Sequence, residues 1–451
     1  MRYTIRQIPC GALRGLDTQK GYALFKNIPY AHAERWARPV EVTSWEGEYD
    51  ASTPPPWCPQ AKTFAAEQNR YSGFYAYENV VKQVNWYSED CQRLNIWVPD
   101  GAENAPVLVY IHGGSYCSGG GSNPAYNCAG YAKKGLVAVT INYRLTLFAS
   151  AVGGDSTGNY GLWDQITALQ WIKHNIAAFG GDPNRVTIIG ESAGALSVQD
   201  LIFSPLAGGL FHRAIMMSGG GLLPKEFGRI SAKESEQAWE TIRQEMGAAD
   251  WAELRKAPAE PLFRTWTRVI SKLKYVTSAT PVVDGITIPQ EPRVLAEKGQ
   301  VNGVPTIIGF LSEDMWPNTL YEAAMQWGVR MEKAGHGPVY GYYFDRQIPG
   351  SDHGAYHAGD IRYAFGTFDT CWRPFDSTDY RISENIMDYF TAFAATGKPD
   401  ASGLPAWSPL GEAQSKFLHF GDEPCAMIDV PQDRLIATQA LNKPFPRLQH
   451  K

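Results

Sequence analysis

Short runs rich in β-branched residues, separated by longer segments with helical spacing, constrain this chain more than any other feature. Residues 107–111, 137–142, 186–189, 214–217, 306–310 and 339–344 read as strands. Between the second and third of them, Leu162, Ile166, Leu169, Ile172, Ile176 and Phe179 recur at three and four residues, which gives a helix one apolar face. Gly180-Gly181 and Asp182-Pro183 then stop it. Such alternation predicts an α/β fold with a mostly parallel central sheet flanked by helices, because parallel neighbours need crossover connections. Residues 231–254 read as a further helix, closed by Pro258 and Pro261, while 350–359 and 397–409 read as loops and not as linkers. No internal repeat or low-complexity tract divides the chain, so residues 1–451 are expected to form a single domain.

With 44% apolar and 19% charged residues the chain can bury a large core, which excludes a disordered or fibrous protein. Forty-one Lys and Arg against 46 Asp and Glu give a net charge of -5, so neither nucleic acid nor an anionic membrane is an expected partner. Residues 1–15 carry Arg2, Arg6 and Arg14 without the apolar run of a secretory signal, and no window is long and apolar enough to span a bilayer. A soluble, cytoplasmic protein is expected. The seven cysteines lack paired Cys-x-x-Cys spacing, so free thiols are expected and no metal site.

A Gly-x-Ser-x-Gly pattern can place a serine on a sharp strand-to-helix turn, where small flanking residues let the backbone bend and expose the hydroxyl. It occurs twice, at Gly154 to Gly158 around Ser156 and at Gly190 to Gly194 around Ser192. Only Ser192 has the required context, a β-branched run before it and helix-forming residues 193–203 after it; Ser156 reads as a turn hydroxyl. A serine nucleophile needs a base and also donors for the oxyanion of acyl transfer. His112-Gly113-Gly114-Ser115-Tyr116 follows the strand at 107–111, and its glycines allow backbone N–H groups to approach a ligand. The amides of Gly114, Ser115 and Ala193 are the candidate donors, with Gly113 in support; a Gly-rich turn or a phosphate loop lacking its Lys is the alternative.

The run Asn159-Tyr160-Gly161-Leu162-Trp163-Asp164-Gln165, then Ala168 to Ile172, Asn175-Ile176, Phe179 to Pro183 and finally Gly190 to Gly194, resembles the signature of type-B carboxylesterases. This is the cholinesterase-like branch of the α/β-hydrolase fold. Asn27 to Ala31, Cys58-Pro59-Gln60, Ser88 to Cys91, Asn142 to Leu145, Val282 to Gly285 and Phe393 to Pro399 are similar to further family landmarks, in family order. The pattern is most like that of bacterial carboxylesterases, which implies a bacterial protein.

The family's acid lies in a segment Gly-x-x-x-x-acid-Gly after a strand, and the resemblance puts Asp314 in that register within Gly309 to Met315. Glu313 is an adjacent competitor, and Met315 replaces the final glycine. The order Ser, acid, His leaves His336, His353, His357, His419 and His450. Residues 355–366 are similar to the family block around its catalytic histidine, which selects His357 and leaves His353 as solvated polar surface. Glu191 is the family's usual residue beside the nucleophile and is expected to be buried, either hydrogen-bonded near the site or simply structural.

Three departures stand out. Ser115 replaces the usual Gly or Ala, which narrows the cavity. Only 42 residues separate Asp314 from His357, so helices that roof the site in typical members are expected to be missing and the pocket to be more open. Thr146-Leu147-Phe148-Ala149 replaces a Gly-x-Phe-Gly run. Cys58 and Cys91 match a disulfide of secreted relatives, but intracellular bacterial members resemble the same pattern, so pairing stays open. Between them Tyr71, Phe74, Tyr75, Tyr77, Trp86 and Tyr87 are expected to line one wall of the substrate pocket, with ordinary packing as the alternative. Tyr116 and Trp316 are further pocket candidates.

Together these residues imply a serine carboxylesterase acting on small or aromatic esters through an acyl-enzyme, without metal or organic cofactor, with a small-molecule ester as its partner. Helical excursions at about 222–275 and 314–336 are expected over the site of this one catalytic domain. A transacylase or cyclase would use the same residues. A non-enzymatic cholinesterase-like binding module would not need all three triad positions filled, as they are here.

Overall fold

A computed structural model describes residues 2–64, 86–224, 229–272, 279–350 and 352–437. Thirteen strands form one sheet. They are β1 Arg2–Ile8, β2 Gly11–Asp17, β3 Tyr22–Pro29, β4 Glu48–Asp50, β5 Arg93–Pro99, β6 Ala105–Ile111, β7 Val137–Ile141, β8 Gly181–Glu191, β9 Arg213–Met217, β10 Thr306–Leu311, β11 Val339–Phe344, β12 Phe417–Phe420 and β13 Ala426–Ile428. In space they run β1-β2-β3-β5-β7-β6-β8-β9-β10-β11-β12-β13, with β4 beside β2. Every pair from β7 to β12 is parallel. The flanks are antiparallel, apart from the β4 pairing.

The six expected strands are β6 to β11. Covered on both faces, they form near-continuous apolar runs. Val107, Val109 and Ile111 of β6 enter one core, and Leu108 and Tyr110 enter the other. The first core takes α1 (Tyr160–Asn175) and α2 (Ala193–Phe203). The second takes α7, named below, through Phe390 and Phe393. Each fully buried Leu or Phe contributes roughly 1.5–3 kcal/mol. The flanking strands escape the sequence pattern because polar residues interrupt them: β1 has only Ile8 fully buried.

The apolar stripe at 162–179 divides into α1 and a tighter turn, Ile176–Phe179, before Gly180 at φ 78° ends it. The helix expected over 231–254 is two helices, α3 (Ala232–Glu245) and α4 (Trp251–Lys256). Gly247 turns left-handed at φ 69°, and the Asp250 side chain accepts the Glu253 N–H to cap the new start. Pro258 and Pro261 open α5 (Ala259–Ile270) instead of only closing what precedes, since proline is tolerated in a first turn. The remaining long helices are α6 (Pro317–Lys333) and α7 (Ser377–Thr396). Among the described residues no helix is long and apolar enough to cross a membrane.

Candidate active site

The residues singled out from sequence gather beyond the carboxyl ends of β6, β8, β10 and β11, where open α/β sheets hold their ligands. β8 delivers Ser192, which has φ 56° and ψ −122° and passes directly into α2. A non-glycine residue held in that mirror-image region costs of order 1–3 kcal/mol. Both flanking glycines are needed for the turn. A methyl group on Gly190 would sit 2.3 Å from the Gly194 backbone, and one on Gly194 would sit 2.1 Å from the Ile111 carbonyl oxygen.

β6 ends at Ile111 and the loop at 112–116 presses onto this turn. A methyl group on Gly113 would lie 3.2 Å from Ser192 Cβ and 2.6 Å from the Glu191 carbonyl oxygen. Gly114, Ser115 and Tyr116 follow at φ 107°, 55° and 57°. Among the described residues the Gly114, Ser115 and Ala193 amides have no acceptor. Ala193 is the first residue of α2, whose leading N–H groups are free by construction.

Asp314 follows β10, and its carboxylate accepts N–H bonds from Leu311 (3.2 Å) and Met315 (2.8 Å). Its Oδ1 is 2.6 Å from His357 Nδ1, and His357 Nε2 is 2.9 Å from Ser192 Oγ. With the proton on Nδ1, Nε2 is left to accept from the serine hydroxyl. Asp314 and His357 are buried and Ser192 is partly open. Burial disfavours the His357 cation, but Asp314 and Glu191 outweigh it and raise the imidazole to about 9. Burial likewise opposes the Asp314 charge, yet the facing imidazole keeps its carboxyl below the ordinary value.

Glu191 is buried with Oε1 3.3 Å from His357 Nε2, and burial lifts its carboxyl to about 8. Asp360 is likewise lifted, to about 7, by burial, while its Oδ2 accepts from the Tyr342 hydroxyl at 2.7 Å. The competitor Glu313 points elsewhere: its carboxylate accepts from the Ala355 N–H (2.7 Å) and the Ser312 hydroxyl (2.5 Å), tying β10 to the loop that carries His357. His353 is buried beside Tyr356, not solvated surface as the pattern suggested, because that loop folds back on the core. His112 stacks on Tyr143 at 4.5 Å, and burial lowers it to about 4, so it stays neutral.

Tyr116 is buried, and its hydroxyl accepts from Arg229 at 3.3 Å. Trp316, at the start of α6, is 41% exposed. Of the aromatic wall, Tyr71, Phe74, Tyr75 and Tyr77 lie outside the described residues; exposed Trp86 donates to the Pro54 carbonyl at 3.2 Å. Among the described residues no disulfide forms, and Cys58 Sγ accepts the Leu145 N–H at 3.1 Å. Ser156 lies in a two-residue hairpin, Val152–Gly153 against Ser156–Thr157, and is buried. Thr146 has φ 57° and ψ −141°, the backbone region of Ser192. A glycine at that point of the family pattern therefore has a physical basis. Among the described residues no cluster of three His, Cys, Asp or Glu could hold a metal. Sequence reading missed Asp200 and Arg229, which form a buried ion pair at 2.5 Å. The one signal was a lone acid in the otherwise apolar end of α2.

Comparison with known proteins identifies the family. The model of the Carboxylesterase family matches residues 2–325 and 313–438. Para-nitrobenzyl esterase of Bacillus subtilis (strain 168) is 29% identical, with 90% of this chain and 93% of that protein covered. Phenmedipham hydrolase of Pseudarthrobacter oxydans is 31% identical, with 90% and 92% covered. The solved structure of a thermophilic PNB esterase superposes with a TM-score of 0.82 at 25% identity, covering 96% of this chain and 99% of that one. The chain therefore belongs to the carboxylesterase family, with the α/β-hydrolase fold, and is a hydrolase of carboxylic esters.

Proposed function

We propose that Ser192 attacks the ester carbonyl while His357 takes its proton and passes it to the leaving alcohol, with Asp314 orienting the imidazole and stabilising its cation. Water then cleaves the acyl-enzyme with the same base. The observation that carries this reading is the unbroken line of contacts, 2.6 Å from Asp314 to His357 and 2.9 Å from His357 to Ser192. The Gly114, Ser115 and Ala193 amides receive the oxyanion; their lack of any other acceptor among the described residues supports this. Glu191, with Oε1 3.3 Å from His357 Nε2, adds to the negative field of Asp314 that favours the imidazolium.

Small or aromatic esters are the substrates we infer. The exposed Trp316, two residues after Asp314 in the chain, supports this, as does the likeness to a para-nitrobenzyl esterase. The single catalytic domain carries its helical excursions, α3 to α5 and α6, over the site. Hydrolysis of p-nitrophenyl acetate, butyrate and octanoate tests the reading, with Ser192→Ala and Ser156→Ala alongside. Turnover by wild type and Ser156→Ala but not by Ser192→Ala is expected. Full activity in Ser192→Ala would overturn the nucleophile.

A further inference from the structure

The donors of the oxyanion hole come from two places, the loop at 112–116 and the start of α2, and their spacing must hold to a fraction of an ångström for both to serve one oxygen atom. The loop is poorly placed to hold itself. Gly114, Ser115 and Tyr116 are three consecutive residues at positive φ, two of them not glycine, and such conformations persist only where the surroundings over-determine them.

The surroundings do so through a buried cation. Arg229, just ahead of α3, donates from Nη2 to Asp200 Oδ2 at 2.5 Å and from Nε to Asp200 Oδ1 at 3.3 Å. The same Nη2 reaches the Tyr116 hydroxyl at 3.3 Å, and the guanidinium carbon lies 5.8 Å from the centre of the Tyr116 ring. The side chains of Arg229 and Asp200 are 7% and 1% exposed, so water competes little for these contacts. Asp200 stands on α2, the helix that begins at Ala193 directly after Ser192. A planar guanidinium can grip a carboxylate with one edge and cover an aromatic ring with its face, which a lysine ammonium cannot.

We propose that Arg229 is a positioning residue for the oxyanion hole: by joining Asp200 on the nucleophile's helix to Tyr116 on the oxyanion loop, it sets the distance between the two sources of amide donors. This rests on the site assignment above and adds the device that holds it. The far side of Tyr116 is tied as well, its carbonyl accepting the Thr146 N–H at 2.8 Å, so the loop is clamped between β7's outgoing segment and α2.

The test compares Arg229→Met, Arg229→Lys and the double variant Arg229→Met/Asp200→Asn with wild type. On p-nitrophenyl butyrate, Arg229→Met should lose about 10- to 100-fold in kcat with KM within about threefold, as a small misplacement of donors felt only in the transition state requires. A trifluoromethyl ketone, which forms an oxyanion on the serine, should bind more weakly by the same factor. Arg229→Lys should recover part of the loss. The double variant should stay impaired, because Tyr116 still lacks the guanidinium and keeps only its Ser197 contact on α2; recovery there would show that only the orphaned Asp200 charge mattered, and would overturn the proposal. Hydrogen exchange provides a readout independent of turnover. The Cys117, Ser118 and Thr146 amides, bonded to Gly114 and Tyr116 carbonyls, should lose protection in Arg229→Met. Unchanged protection overturns the clamp whatever the kinetics show. Lost protection in a protein whose Ser192→Ala form keeps its activity would uphold the clamp and remove the assignment of the nucleophile instead.

Discussion

The two Gly-x-Ser-x-Gly pentapeptides are the same in pattern and opposite in use. Around Ser192 the glycines are spent on a turn: Gly190 and Gly194 touch each other's backbone, and Gly194 touches β6, so the serine is thrown outward at a strained φ of 56°. Around Ser156 they are spent on packing. A methyl group on Gly154 would lie 2.7 Å from the Trp251 ring and one on Gly158 would lie 2.9 Å from Val152 Cγ2, so this hairpin is a seat for α4. Its serine is buried and accepts from Arg255 at 3.3 Å, while Asp155 pairs with the same arginine. Glycine gives a chain close approach. Whether the approach exposes a hydroxyl or buries it depends on whether a parallel strand or a two-residue hairpin leads into the motif.

The comparison breaks most directly at Ser192. Ser192→Ala should lower kcat by roughly 10⁴-fold or more, whereas the same change at Ser156 should leave turnover within about twofold, as read by initial rates on p-nitrophenyl butyrate. Asp314→Asn should cost about 10³–10⁴-fold in kcat by favouring the wrong tautomer, whereas Glu313→Gln, at a carboxylate that accepts from Ala355 and Ser312 and not from His357, should cost less than about tenfold.

A pH profile sharpens it further. His357 must be unprotonated to act, so kcat/KM should rise with pH toward its raised value of about 9. A carboxylate beside a histidine stabilises the cation, and removing it lowers the pKa. Glu191→Gln should therefore move the acid limb to lower pH, while Ser156→Ala leaves it in place. The smallest effect concerns strain. Thr146 occupies the same backbone region as Ser192, with its hydroxyl engaged only in a long 3.5 Å bond to the Pro59 carbonyl, so Thr146→Gly should add about 1 kcal/mol of stability, seen as a modest rise in Tm. Ser192→Gly should gain as much while losing the chemistry.

Legibility in the sequence followed burial. β6 to β11 were readable because strands covered on both faces carry unbroken apolar runs; β1 to β4 and β13 were not, since many of their residues are open to solvent, and in the buried β5 and β12 the polar Arg93, Asn95 and His419 break the run. Ser192 was readable because the strand, turn and helix around it are local. Asp314 and His357 stand 43 positions apart and His357 and Ser192 165 apart, so no local pattern joins them, and only the family resemblance selected them. Gly247 could have announced the break between α3 and α4, but the Glu- and Gln-rich stretch around it masked the signal. Arg229 was invisible because its importance lies in what it meets across 29 and 113 positions, and a single arginine in a loop carries no period.

The distribution of the site over four strand ends has a consequence for how this protein fails. Ser192, Asp314, His357 and the 112–116 loop arrive from separate parts of the chain and meet only while β6, β8, β10 and β11 stay in register. Slippage or fraying of any one of them separates the reacting atoms before the helices on either side need melt. Enzymatic rate is then an alarm for the sheet: on slow warming, inactivation should precede the loss of helical circular dichroism. The interval between the two curves would measure how far the strands loosen ahead of general collapse.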